Sequence, residues 1–124
     1  MSQPSTASGT IQLICADLLF TSKISAAASH LHRKVHTCSD AAQVGGRGSA
    51  DLVVIDLGTP GLDIAACVQQ VRRSLGAVAI VAFGRHTAQQ QLKAAVAAGC
   101  TEVMPRSAFF ENIASILQGG APAE

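Results

Sequence analysis

The chain has no tryptophan and no tyrosine, and only four phenylalanines among its 124 residues. It therefore lacks the aromatic platforms on which the bases of a single strand stack. Charge is also scarce. Nine Lys and Arg stand against eight Asp and Glu, a formal net charge of +1, which gives no electrostatic footprint for nucleic acid. No apolar run approaches the roughly 20 residues of a membrane span. Met1 to Thr10 lacks the basic-then-apolar order of a signal peptide. The expectation is a cytoplasmic protein with no nucleic-acid and no membrane partner. The four cysteines, Cys15, Cys38, Cys67 and Cys100, form no C-x-x-C pair, so the usual zinc and thioredoxin signatures are missing. They read as small buried hydrophobes. A dinucleotide G-x-G-x-x-G is absent, Gly45-Gly46-Arg47-Gly48 lacks the Gly-Lys-Ser/Thr end of a phosphate-binding loop, and there is no G-x-S-x-G elbow. An enzyme is not expected.

Apolar residues make up 48% of the chain and charged residues 14%, a balance suited to one folded domain with a real core. Residues 1–10 and 119–124 read as loose tails around a domain at 11–118, with no internal repeat and no dividing linker. Strands are expected at Ile11–Ala16, Val35–Ser39, Leu52–Asp56, Ala77–Phe83 and Glu102–Met104. Helices alternate with them. Ser22–Lys34 carries Ile24, Ala27, Ala28 and Leu31 at helical spacing, with basic residues near its end. A turn or two is expected in 41–49. Leu62–Leu75 presents Ile64, Cys67, Val68, Val71 and Leu75. A capping box at Thr87–Gln90 opens a helix with Leu92, Ala95 and Val96 inward, and Gly99 closes it. Ser107 is a candidate cap for a last helix bearing Phe110, Ile113, Ile116 and Leu117. Five strand–helix alternations with right-handed crossovers predict a doubly wound α/β fold, a parallel sheet in a three-layer sandwich.

The stretch Asp51–Asp63 (DLVVIDLGTPGLD) carries the most information. A β-branched apolar run reads as a strand buried on both faces. It ends in Asp56 and passes at once into a Gly/Pro turn. Ligands and chemistry gather at the carboxyl edge of such sheets, where an Asp can be a nucleophile or a metal ligand. An Asp that merely ends a strand and caps its turn is an equally good reading of those residues.

With this segment and the five-fold alternation, residues 11–118 resemble a response-regulator receiver domain. The resemblance implies a five-stranded parallel sheet of flavodoxin-like order 2-1-3-4-5. It implies a phosphoryl group received on Asp56 from a histidine kinase or phosphotransfer protein. Mg²⁺ would be held by Asp17, Asp56 and the backbone carbonyl of Gly58, since Mg²⁺ takes hard oxygen ligands and keeps several waters. Arg106 would stand for the family's phosphoryl-pairing Lys. The pattern departs in places. Ala16 occupies the first acidic position, Gly84 replaces the hydroxyl residue at the end of the fourth strand, and Val103 replaces the switch aromatic. The family's Lys-Pro order becomes Pro105-Arg106.

Three functional readings result. The first is a stand-alone receiver that accepts a phosphoryl group on Asp56 and signals through a protein docked on residues 87–117. The second is a pseudo-receiver that binds partners without phosphorylation. The third is a small α/β hydrolase using the Asp17/Asp56 edge. The outward residues of the helix after the fourth strand, Gln89, Gln90, Gln91 and Lys93, suit a modest protein contact or plain solvent. Arg85 and Arg106 form a basic rim near Asp56 that suits an anion or simple neutralisation of carboxylates. His30 and His32 point to different helix faces and cannot easily share a metal. His36 and His86 read as solvated residues.

Overall fold

Leu52-Val53-Val54-Ile55 has no polar face, so it can be a strand only where both faces are covered. In the computed structural model, which describes residues 9–38, 43 and 49–118, every residue of that strand is buried. The elements are β1 (Thr10–Ile14), α1 (Leu18–His30), β2 (Lys34–Cys38), β3 (Leu52–Asp56), α2 (Ile64–Leu75), β4 (Ala79–Gly84), α3 (Gln89–Ala98), β5 (Glu102–Pro105), α4 (Arg106–Glu111) and α5 (Ile113–Leu117). The strands form one parallel sheet of order β2-β1-β3-β4-β5, the doubly wound order expected. Thr10, placed in the tail by its composition, begins β1. The expected turn in 41–49 falls almost entirely, and the segments 1–8 and 119–124 entirely, outside the described residues. Among the described residues no helix is long and apolar enough to cross a membrane.

The period of two along the strands divides the core. Val53, Ile55, Ile80 and Ala82 face one layer, with Cys67, Val68 and Val71 of α2 and Ala95 of α3. Leu52, Val54, Val81 and Phe83 face the other, with Ile24 and Ala28 of α1, Phe109 of α4, and Ile116 and Leu117 of α5. Asp56 continues the second set by alternation, so its side chain belongs to the α1 side of the sheet.

Several helix boundaries differ from expectation, each for a local reason. Asp17 caps α1, its carboxylate accepting from the Leu19 and Phe20 amides, so the helix starts four residues early. It also ends early, and Arg33, expected near the helix end as a cation facing the dipole, is buried and ion-paired with Asp51. Neither expected hydroxyl cap forms. The cap position of α3 is Ala88 and that of α4 is Pro105, with no side-chain cap bond at either. Val96, expected inward, is 64% exposed, whereas Ala95 is buried; both lie on the neighbouring positions a helix allows after Leu92. In α4 the fully buried ring is Phe109 rather than Phe110. It stacks on Phe83 at 4.5 Å between centroids. Gly99 closes α3 as expected, at φ 103°, a conformation that suits glycine because it carries no Cβ.

All four phenylalanines meet at the α1–β4–α4 corner. Phe83 is central to that cluster. Replacing it with Ala should lower stability by roughly 3–5 kcal/mol, whereas Val96→Ala should stay within about 0.5 kcal/mol, both read by urea unfolding.

Candidate functional site

In a parallel sheet, adjacent strands end at the same level, and the register sets which ends meet. Ile14 of β1 pairs with Ile55 of β3, so the next residues, Cys15 and Asp56, come side by side. The Cys15 thiol donates to Asp56 Oδ2 at 3.4 Å. The other oxygen, Oδ1, accepts from the Gly58 amide at 2.9 Å. Thr59 ties the turn by donating its hydroxyl to the Asp56 carbonyl at 2.7 Å. Asp56 is 6% exposed, so both carboxylate oxygens reach donors although little water reaches the residue. The turn-capping role open to an Asp at this place is therefore real. It accounts for one oxygen and leaves the carboxylate facing a cleft.

That cleft has a volume of about 530 Å³. The four residues singled out from the sequence, Asp17, Asp56, Gly58 and Arg106, all line it, together with Ala16, Gly84 and Arg85. No histidine does. Asp17 stands at the rim with Oδ1 engaged by the start of α1. Arg106 is the first residue of α4, and its guanidinium lies 4.9 Å from the centre of the Phe20 ring. A guanidinium offers an aromatic face a planar, delocalised cation where Lys would offer a compact ammonium. The Arg-for-Lys difference therefore comes with its own support. No peptide bond among the described residues is cis.

Gly84 ends β4 beside Pro105. A Cβ there would lie 3.3 Å from both Cβ and Cδ1 of Leu57, tighter than ordinary packing. Leu57, buried directly after Asp56, would have to give by a few tenths of an ångström to admit any side chain there. Glycine at 84 and leucine at 57 are thus one packing decision.

Cys15 is the site residue that the sequence does not mark, since a cysteine in an apolar segment reads as a small buried hydrophobe. The signal was its place at the end of the strand next to β3. Burial pushes its thiol from an ordinary 9.0 up to about 11, so at neutral pH it is a neutral donor to Asp56. It brings neither a negative charge nor a hard oxygen. Among the described residues no group of three or more His, Cys, Asp or Glu is placed to hold a metal ion. The hard donors here are the Asp56 and Asp17 carboxylates and the Gly58 carbonyl. Mg²⁺ is commonly held by one or two carboxylates with water completing its octahedron, so this set fits it in a reduced, water-rich form.

Two predictions concern these groups. Asp17→Ala should lower stability by about 1 kcal/mol through loss of the α1 cap, and Asp17→Asn should leave it within about 0.5 kcal/mol, because Asn caps equally well. The thiols give a pH dependence. Burial also pushes Cys67 up to about 12. Above the ordinary thiol value the unfolded chain loses these protons while the folded chain keeps them. Stability should then be insensitive to the thiols below that value and fall as pH rises past it. Urea midpoints from about pH 8 to about pH 10 should show a decline that is shallower in Cys15→Ala/Cys67→Ala.

No family model and no curated relative matches the sequence. Solved structures do match. The receiver domain of a sensor histidine kinase from Pseudomonas aeruginosa, solved with magnesium in its active-site cleft, superposes with a TM-score of 0.76 at 21% identity, covering 90% of this chain and 95% of that one. The chemotaxis response regulator CheY4 of Vibrio cholerae gives 0.74 at 16% identity over 90% and 97%. The phosphorylated cyanobacterial phytochrome response regulator RcpA gives 0.70 at 16% over 90% of each. With its parallel 2-1-3-4-5 sheet and an aspartate at the end of the central strand, the chain has the fold of the response-regulator receiver domains.

Proposed function

We propose that this chain is a signalling receiver that accepts a phosphoryl group on Asp56 and acts on another protein through the face formed by residues 87–117. The observation that carries this reading is the convergence of Asp56, Asp17, Gly58 and Arg106 in one cleft at the carboxyl edge of the sheet. Transfer would break the donor's N–P bond and form an O–P bond at Asp56. Little covalent work falls to the protein; positioning and charge neutralisation matter most. The Gly58 amide and Cys15 thiol hold the Asp56 carboxylate in place. Arg106, its guanidinium beside the Phe20 ring, supplies positive charge and a planar donor fork for the incoming oxygens. Asp17, Asp56 and the Gly58 carbonyl are the residues that would hold Mg²⁺. When bound, Mg²⁺ offsets the repulsion between the Asp56 carboxylate and the phosphoryl oxygens.

A second reading, a module that binds its partner without phosphorylation, is favoured by one specific observation. Ala16 lines the cleft where the receiver pattern has an acid, and Gly84 lines it where that pattern has a hydroxyl residue. The hydrolase reading finds less support, since no histidine lines the cleft and among the described residues the Asp56 carboxylate accepts from a protonated thiol and a backbone amide, with no general base beside it.

An NMR titration with Mg²⁺, followed by beryllofluoride as an aspartyl-phosphate mimic, separates the first two. A working acceptor gives shifts centred on Asp17, Asp56 and Gly58 that spread to Arg106, and Asp56→Asn abolishes the beryllofluoride response. No response at millimolar metal would remove the phosphorylation reading and leave the binding module.

A further inference from the structure

Beside the Asp56 cleft lies a smaller notch of about 190 Å³, lined by Arg85, His86, Thr87, Arg106 and Ser107. It shares the two arginines with the cleft, but Asp17, Asp56 and Gly58 do not line it. No acid is among its residues. Arg85 and Arg106 form no ion pair with any described residue. The Arg85 guanidinium makes no hydrogen bond among them, and Arg106 has only its stack on Phe20. Two cations that line one concavity without an acid between them repel each other. Within the notch no side chain offsets that; the carboxylates that could do so lie in the adjoining cleft, and solvent or a bound anion must do it here.

The hydroxyls carry the argument further. Thr87 and Ser107 are the two residues whose sequence context predicts helix caps, and neither caps a helix. Among the described residues neither hydroxyl has a hydrogen-bond partner. Both instead line the notch with the arginines. Two guanidiniums, an imidazole and two hydroxyls are among the groups these residues carry, donor types that suit a tetrahedral oxyanion, and arginine's planar fork matches phosphate oxygens two at a time. Size narrows the ligand. The notch is smaller than the roughly 300 Å³ at which pockets begin to take whole organic ligands, yet it holds several times the ~30 Å³ share of one water.

We infer that this notch is a binding site for the phosphate group of a phosphate monoester, held non-covalently and separately from any phosphoryl group on Asp56. It needs no phosphorylation of Asp56 and no metal. Arg85 is its specific residue: it is exposed, and in the acceptor reading it neither holds the Asp56 carboxylate nor pairs with the phosphoryl group. Arg106 lines both sites, its guanidinium 4.9 Å from the centre of the Phe20 ring.

The test is an NMR titration of the full chain with inorganic phosphate, against sodium chloride of matched ionic strength, without Mg²⁺. The expected result is saturable shifts at the amides of residues 85–88 and 106–108, with a dissociation constant of about a millimolar. Arg85→Gln, at an exposed position, should weaken binding by about tenfold or more. Asp56→Asn should leave it intact or tighten it, because a nearby negative charge is removed. Shifts no larger than those from chloride would overturn the inference, as would unchanged affinity in Arg85→Gln. Loss of binding in Asp56→Asn would overturn it too, because the ion would then belong to the Asp56 cleft. Titration with phosphoserine then asks whether the monoester carbon is tolerated; rejection of phosphoserine while phosphate binds would overturn the monoester assignment. A failed beryllofluoride response leaves this inference standing, so the two readings fail separately.

Discussion

A nearly buried carboxylate at the end of a strand covered on both faces is the constraint on which the site depends. Asp56 has 6% of its surface exposed, and an ionised carboxylate so placed needs donors or a cation. The chain meets the need from three directions. The turn after β3 folds back so that the Gly58 amide reaches Oδ1, the neighbouring strand brings the Cys15 thiol to Oδ2, and Arg85 and Arg106 bring positive charge to the cleft. Without the parallel sheet only the Gly58 amide, two residues on, lies near Asp56; Cys15, Arg85 and Arg106 are far from it along the chain.

The departures from the receiver pattern form a coherent set. A thiol stands beside Asp56, a leucine fills the space next to Gly84, and an arginine rests on Phe20. Each changes what a neighbour can do. The neutral thiol satisfies an oxygen but adds no charge for a cation to balance. Leu57 leaves no ordinary room for a side chain at 84. The Arg106 guanidinium lines the cleft beside the Phe20 ring. The result is a site with fewer hard oxygen ligands and a more basic rim.

Local sequence carried much of the fold. The β-branched runs, the apolar spacing of α2 and the terminal Gly99 each point to one structure, and the structure agrees. Where two local readings were close, packing chose between them. Ala95 and Val96 are both acceptable inner positions after Leu92, and the contact of α3 with β4 and β5 turned Ala95 inward. Phe109 and Phe110 are equally apolar. The early start of α4 at Arg106 put Phe109 on Phe83 and left Phe110 at the edge of the cluster. Thr87 and Ser107 have good capping context, yet α3 and α4 begin at positions where neither caps, and both residues line the notch.

The sequence by itself determined the alternating α/β order, the parallel sheet and the place of Asp56 at its carboxyl edge, because strand and helix periodicities and turn chemistry act over a few residues. It also put Asp17, Gly58 and Arg106 on the same edge. Only the tertiary structure decided that Asp17 is bound up in capping α1, that Cys15 touches Asp56, and that Leu57 fills the space at Gly84. Only it brought Arg85, Thr87, Arg106 and Ser107 into one notch. Those facts depend on strand register and on which side chain reaches a shared space first, and neither is written in any single stretch of the chain.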